Sequence, residues 1–379
     1  MRILFFNWRD IRDPLAGGAE AYIHQIAKRL AKKNEVFLYC RRYKSSSNRD
    51  EIDGITVVRR GGSFSVYLYA FFDYLFKLRK RNFDVVVDGI NGVPFFTPLF
   101  VRKPKVAIMF HVVGKSIFFK ELPFPLALVG WSAEKMIPLL YHRVPFVAIS
   151  NSTREELIAF GIPQRRISLV YCGIECVMDE AGEKLGKYPN PSVVYMGRVK
   201  DYKQLDHLIK AFALVKKKMP QAELIIAGRG EYSGLVRLAE SLGVAQGIKF
   251  LGEISDGDKA KILNQAWVFV TPSMKEGWGI TVIEANDCGT PAIAYNVPGL
   301  RDSVKDEGTG LLVPAGNIEE LAKAIIRVLS DSELRAMLSR NAEEWASSFS
   351  WDSSAKEFEK VLEGVISGRR TTSVGNSAN

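Results

Sequence analysis

Two carboxylates and two cations stand where they could grip a charged, hydroxyl-rich ligand. Glu276 and Glu284 have seven residues between them, and Arg198 and Lys203 lie five positions apart. The stretch Ser273–Gly289 begins where the apolar run Trp267–Val270 stops at Thr271 and Pro272. It turns through Gly277 and Gly279 and continues as a short helical pattern, Ile280 to Cys288, closed by Gly289. In an α/β sheet the turn after a strand is where ligands bind. A helix N-terminus at that point offers N–H groups and a partial positive charge, which suits a phosphate. Carboxylates only accept hydrogen bonds, so a pair of them beside such a cradle points to hydroxyl groups on either side of the phosphate. A nucleotide-sugar has that make-up. Arg198, a fixed fork, and Lys203, a point charge, follow the expected strand Ser192–Met196 and Gly197, and they suit a diphosphate.

At these residues the chain resembles the retaining glycosyltransferases of family four (group 1). Their hallmark joins Glu-Gly-aromatic-Gly to Glu-Ala and Cys-Gly-Thr-Pro, and Glu276–Gly279, Glu284–Ala285 and Cys288–Pro291 match it. The whole run with its glycines carries the resemblance; the glutamate pair alone would not. Arg198 and Lys203 match the family's Gly-Arg-…-Lys-Gly motif, with Gln204 where the family usually has glycine. Asn286 and Asp287 stand where it usually has small or apolar residues.

The resemblance implies a GT-B fold: two facing Rossmann-like, doubly wound α/β domains, with a C-terminal helix crossing back to the first. It also implies roles. Glu276 holds hydroxyls of the transferred sugar and Glu284 the ribose. Arg198, Lys203 and the amides of Gly277, Trp278, Gly279 and Ile280 hold the diphosphate. Gly17 and Gly18, in the run Gly17–Glu20, meet the diphosphate from the first domain. Gly197 opens the turn that carries the two cations, Gly228 belongs to a Gly-x-Gly that lets the nucleotide pass, and main-chain groups around Glu253 contact the base. His111, leaving the carboxyl end of a strand, lies near the transferred sugar.

The elements that must position these residues follow from alternating apolar runs and helical patterns, the signature of parallel sheets. Expected strands are Ile3–Phe6, Val36–Tyr39, Thr56–Arg59, Asp84–Asp88, Val106–Phe110, Phe146–Ile149 and Ser168–Val170, then Ser192–Met196, Glu223–Ala227, Lys249–Leu251, Trp267–Val270 and Pro291–Ala294. The first helix runs from about Ala19 to Lys33. Cys172–Pro191 lacks apolar periodicity and reads as the connection. The expected domains are residues 1–173 with a C-terminal helix 351–367, which bind acceptor, and residues 190–350, which bind donor; residues 368–379 form a polar, disordered tail.

The chain has 379 residues, 47% hydrophobic and 25% charged, with a net charge of +10. Length suggests two or three domains, and the composition is that of a globular protein. The basic balance suits phosphorylated ligands or an anionic membrane; no nucleic-acid motif is present. Cys40, Cys172, Cys176 and Cys288 lack metal spacing and imply reduced thiols. Met1–Asn7 reads as a strand, not a signal peptide, and no stretch reaches the roughly 18 apolar residues of a spanning helix. The expected place is the cytoplasm, peripheral on the inner face of the plasma membrane. His24, His142 and His207 read as structural or solvent-facing, and Ser150 or Ser152 as a helix cap.

Two stretches are amphiphilic. Ser65–Asn82 carries six aromatic residues followed by Lys77, Arg79, Lys80 and Arg81, and Ile117–Tyr141 is apolar, broken by Lys120, Glu121, Pro123, Pro125 and Glu134. Helices packed on the sheet account for both. The alternative is an interfacial surface, with aromatic rings at headgroup level and lysines on anionic lipid, which would serve a lipid-linked acceptor.

The expected reaction moves a hexose-type sugar from a UDP- or GDP-sugar to an acceptor hydroxyl, sugar or lipid-linked, with the anomeric configuration kept. No metal and no other cofactor is expected, because two cations and helix-tip amides neutralise the leaving diphosphate. A paired-carboxylate glycoside hydrolase would leave that basic cradle unexplained. A nucleotide-sugar epimerase of the same fold and a non-catalytic membrane-associated subunit are the remaining alternatives.

Overall fold

The computed structural model describes residues 1–175 and 186–368. The described chain divides into two units, one made of Met1–Gly173 together with the C-terminal segment from Trp351, the other of Ile174–Ser350. Cys176 and the part of the expected tail beyond Gly368 lie outside the described residues.

The first unit is built on eight strands: β1 (Arg2–Phe6), β2 (Glu35–Cys40), β3 (Arg49–Ile52), β4 (Ile55–Arg59), β5 (Val85–Ile90), β6 (Lys105–Met109), β7 (Phe146–Ala148) and β8 (Ile167–Leu169). Their order in the sheet is β3-β4-β2-β1-β5-β6-β7-β8. Neighbours are parallel except β3, which runs antiparallel to β4. Every residue of β5 is buried, as a strand covered on both faces requires. The edge strand β3 carries Arg49, Asp50 and Glu51. It is joined to β4 by Asp53 and Gly54, at φ +50° and +77°, the two positive-φ positions of a tight hairpin turn.

Helices cover both faces. The helix Gly18–Leu30 buries Tyr22, Ile23, Ile26, Ala27 and Leu30, a stripe at three- and four-residue spacing, and places Lys28 and Arg29 at its negative C-terminal end. The C-terminal helix Trp351–Ile366 belongs to this same unit. Its Phe358 stacks on Phe5 at 6.1 Å, Trp351 meets Tyr22 edge-on at 5.8 Å, and Asp352 pairs with Arg29 at 2.7 Å. The opposite face carries the helix Ser65–Phe76, whose Val66, Ala70 and Tyr74 pack with Leu4, Phe6, Phe37 and Val86.

The second unit is a six-stranded sheet of β9 (Ser192–Met196), β10 (Glu223–Ala227), β11 (Ile248–Gly252), β12 (Val268–Thr271), β13 (Ala292–Tyr295) and β14 (Gly310–Val313). All are parallel, in the order β11-β10-β9-β12-β13-β14. Chain order reverses between β9 and β12, so the loops leaving these two strands diverge and open a crevice at their carboxyl ends, where open α/β sheets bind ligands. Arg198, Lys203 and Glu276 lie on those two loops, and Glu284 on the helix that follows the second.

Candidate active site

The site in the second unit is assembled first by main chain. Beyond the strand ends the loops stay stitched: Gly197 N–H donates to the Ala227 carbonyl at 3.0 Å, Val199 to Arg229 at 2.9 Å and Gly228 to Gly252 at 2.6 Å. Gly228, at φ +139°, has no room for a side chain, because a Cβ would lie 1.9 Å from the Gly197 carbonyl oxygen. That close crossing of two loops is a structural reason for glycine here, separate from any passing nucleotide. Across the switch point, Met274 N–H donates to the Tyr202 carbonyl at 2.8 Å, and on the other side of the same loop Glu276 N–H donates to the carbonyl of Pro298, after β13, at 3.3 Å.

On this frame Lys203 Nζ donates to Glu276 Oε1, with the two side chains 13% and 19% exposed. Burial works against the ammonium, but the Glu276 carboxylate and nearby tyrosines more than offset it, so the Lys203 pKa moves up and the cation is held. Its Nζ also sits 5.1 Å from the centre of the Tyr202 ring, and Arg198 Nη2 approaches the Tyr202 hydroxyl at 3.4 Å. Tyr202 thus lies between the two cations. Arg198 and Lys203 are carried by one turn, Gly197–Gln204, whose last residue has φ +50° and ψ +46°. The left-handed turn that glycine would favour is therefore kept with glutamine in it.

The loop after β12 ends at Gly279, at φ +88°, where the helix Ile280–Asp287 starts. Trp278 turns its ring into the unit, 2% exposed and 5.1 Å from Phe349, so what it offers a ligand is main chain. Glu284 does not meet Lys203. It pairs with Lys259 at 2.8 Å, on the helix Asp256–Gln265, and burial, which lowers the Lys259 pKa, is outweighed by that carboxylate. Glu253, at the end of β11, pairs with Arg229, Nε to Oε2 at 2.9 Å.

In the first unit the expected residues also gather at the carboxyl edge of the sheet. Gly17 N–H donates to Glu20 Oε2 at 2.7 Å, which closes the start of the Gly18–Leu30 helix. His111, partly buried, follows Phe110 off β6. Ser150 is the cap of the helix Asn151–Ala159 and accepts from Thr153 N–H at 3.0 Å; the Thr153 hydroxyl in turn donates to the Phe110 carbonyl at 3.2 Å. The other histidines bond locally, His24 to Asp53, His142 to the Leu139 carbonyl and His207 to the Tyr295 hydroxyl.

Two family models match adjoining parts of the chain: "Glycosyltransferase Family 4" over residues 16–177 and "Glycosyl transferases group 1" over residues 178–345. The chain belongs to the group 1, family 4 glycosyltransferases. A D-inositol 3-phosphate glycosyltransferase of Salinispora tropica is 33% identical over 189 residues, 47% of this glycosyltransferase and 39% of the relative. The chain spans about half the length of the curated relatives it matches. Among solved structures, sucrose-phosphate synthase of Thermosynechococcus elongatus superposes with a TM-score of 0.80 at 20% identity, over 97% of this chain and 99% of that one. HepE of Anabaena, in complex with UDP and glucose, does so at 0.74 and 19%, over 96% and 100%. The glycosyltransferase has the GT-B fold, and among its described residues no helix is long and apolar enough to cross a membrane.

Three residues that hold the expected groups or their loops, in one unit or the other, escaped the reading of the sequence. Lys259 and Glu284 meet from different helices, and nothing in their spacing announces it. Tyr202 is hidden inside the basic turn. Glu134 had a signal: it is the one acid in the apolar helix Phe124–Lys135, and it is 2% exposed.

Proposed function

We propose that the chain transfers a hexose-type sugar from a nucleotide-diphosphate sugar to an acceptor hydroxyl with retention of anomeric configuration. The observation that carries the reading is the meeting of Lys203 and Glu276 at the switch point of the second sheet. A diphosphate reaching that point takes Lys203 as its counter-charge and frees the Glu276 carboxylate for sugar hydroxyls. Arg198 adds a second positive charge on the same turn, and the amides of Gly277–Ile280 add helix-tip dipoles. As the sugar–phosphate bond breaks, negative charge builds on the leaving diphosphate, and groups fixed in advance stabilise it without reorganising. Two unit charges 4 Å apart at an effective dielectric of about 20 interact by roughly 4 kcal/mol. That is large beside the ~1.4 kcal/mol of a tenfold rate change. The leaving phosphate takes the acceptor proton on the same face, so no protein base is needed, and neither is a metal. Glu284, held by Lys259, faces the ribose, and His111 serves the transferred sugar.

The UDP and glucose bound by HepE favour a UDP-sugar among the donors. For the acceptor, the first unit supplies a surface. The helix Ser65–Phe76 buries one side and exposes Leu68, Tyr69, Phe72 and Phe76, and the helix Phe124–Lys135 exposes Phe124, Leu128 and Val129. Lys77, Lys80 and Arg81 lie beside the first. Aromatic side chains rimmed by cations fit an anionic membrane surface, and with it a lipid-linked acceptor.

A panel of UDP-, GDP- and ADP-sugars, scored by thermal shift and by release of nucleoside diphosphate with and without chelator, tests the reaction. Binding and release by one donor class, unchanged in chelator, is expected. No donor bound, or activity restored only by magnesium, would refute it, and conversion of the donor to its epimer without acceptor would make the chain an epimerase. Flotation with anionic vesicles tests the surface; equal recovery with neutral vesicles would remove it.

A further inference from the structure

We propose that Glu134 is a positioning residue for His111, acting through the main chain of the loop that carries it, with Glu156 as its partner. The proposal rests on the reading that His111 serves the transfer. His111 follows β6, and the three residues after it present three successive N–H groups. Val112 N–H donates to Glu156 Oε2 at 3.1 Å, Val113 N–H to Glu134 Oε1 at 2.6 Å and Gly114 N–H to Glu134 Oε2 at 2.9 Å. Consecutive amides of this kind make an anion cradle, and here the chain's own carboxylates fill it.

The arrangement does more than end a helix. The helix Gly114–Glu121 starts at Val113, which has no side chain able to cap it. A serine or aspartate at that position would satisfy the helix end locally. Instead the cap comes from Glu134, twenty residues on and in the neighbouring helix. A local cap fixes only the helix that contains it, whereas a carboxylate borrowed from another helix fixes the loop against that helix. Glu134 is 2% exposed, and a carboxylate so buried is costly unless hydrogen-bonded. Both its oxygens are engaged, and bonds to an ionised acceptor are roughly twice as strong as neutral ones. On the other side of His111, the Phe110 carbonyl is held by the Thr153 hydroxyl, from the same helix that carries Glu156. The main chain is therefore anchored immediately before and immediately after the histidine, from two different helices. Gly114, at φ +74°, lets the chain turn from this loop into its helix.

The test is a double-mutant cycle on donor hydrolysis, using the nucleotide-sugar that the wild-type chain turns over. Glu134→Gln keeps the shape but gives one of the two amides an N–H₂ to face. It should lower kcat by about tenfold or more, since small misplacements of a reacting group carry losses up to the order of 10². The KM for donor and the affinity for free nucleoside diphosphate should stay within about twofold, because the cations and helix-tip amides assigned to the diphosphate belong to the other unit, and Gly17 and Gly18 are not among the groups Glu134 holds; that affinity also reports that the variant is folded. In a His111→Ala background, E134Q should cause no further loss. An unchanged kcat in E134Q, or the same loss with and without His111, would overturn the proposal. If H111A alone leaves the rate intact, the role assigned to His111 fails, and this inference with it. Glu156→Gln, which alters the carboxylate that holds one of the three amides, Val112, carries the same cycle should E134Q melt far below the wild type, with a smaller loss in the same direction expected.

Discussion

Lys203 and Glu276 meet across a separation of 73 residues, one on the turn after β9 and the other on the loop after β12. The main-chain bond from Met274 to Tyr202 holds those two loops together, so the pair does not depend on the side chains alone. A lysine in this position can exchange a carboxylate for a phosphate without moving its backbone.

Lys203→Ala and Arg198→Ala should each lower turnover by on the order of 10², the effect of removing one preorganised group facing developing charge. Steady-state kinetics at saturating donor will check this. A wild-type kcat in either variant would refute the assignment of these cations to the leaving group.

Gln204→Gly should stabilise the protein while leaving activity in place. Gln204 holds a left-handed conformation, φ +50° and ψ +46°, which costs a residue with a Cβ roughly 1–2 kcal/mol. Glycine removes that cost and returns ~0.4–1 kcal/mol of it through a freer unfolded chain, leaving a gain near ~0.5–1 kcal/mol. A drop in denaturation midpoint would show that the glutamine side chain contributes more than its backbone loses.

Asn286→Leu should also stabilise. Asn286 is fully buried, and neither its Oδ1 nor its Nδ2 has a hydrogen-bond partner in the structure. Leaving such a group unsatisfied costs about 1–3 kcal/mol, and leucine has nearly its shape. For a unit the size of Ile174–Ser350, which holds Asn286, each kcal/mol moves the melting temperature by about 2–4 °C. Calorimetry showing a lower melting temperature would mean the amide is satisfied by water.

The first unit has an acid-sensitive lock. Arg41 grips Asp13 with two bonds, Nε to Oδ2 at 2.7 Å and Nη2 to Oδ1 at 2.8 Å, and Leu15 N–H donates to the same carboxylate at 2.8 Å. Burial pushes the Asp13 pKa up, but these partners pull harder, so it falls below the ordinary value of 3.8. Unfolded protein then binds the proton first, and the stability from this pair is present above that value and lost as pH falls below it. Asp13→Asn takes the negative partner from the buried Arg41 guanidinium, leaving it the neutral Ser63 hydroxyl, and should cost about 3–5 kcal/mol at pH 7. In urea titrations the gap to wild type should narrow once the pH drops below 3.8. A gap that stays constant down to pH 2 would contradict the depressed pKa.

The sequence was most legible where burial leaves no choice. Val85–Val87 of β5 and Val193–Met196 of β9, covered on both faces, read as apolar runs, and the second unit's strand–turn–helix units announced the loops that hold Arg198, Lys203 and Glu276. β3 escaped because an edge strand need not be apolar, although Asp53 and Gly54 marked its hairpin. β14 escaped because it is short and opens on Gly310, which lies against the Ala292 carbonyl where any Cβ would collide. The amphiphilic stretches pack on the sheet as the simpler reading had it, burying one side and exposing the other; the membrane surface is the proposal made above. What stayed hidden were partners brought together only by packing: Lys259 for Glu284, and Glu134 for the amides beside His111.

Gly299 supports the site without touching anything that reacts. It sits at φ +83°, and a Cβ there would lie 2.2 Å from the Glu276 carbonyl oxygen. Any replacement must shove aside the stretch of chain that carries the sugar-holding carboxylate. In a saturation library selected for turnover, position 299 should therefore be as intolerant as Lys203, and a reader of that map would take a spacer for a reactive group.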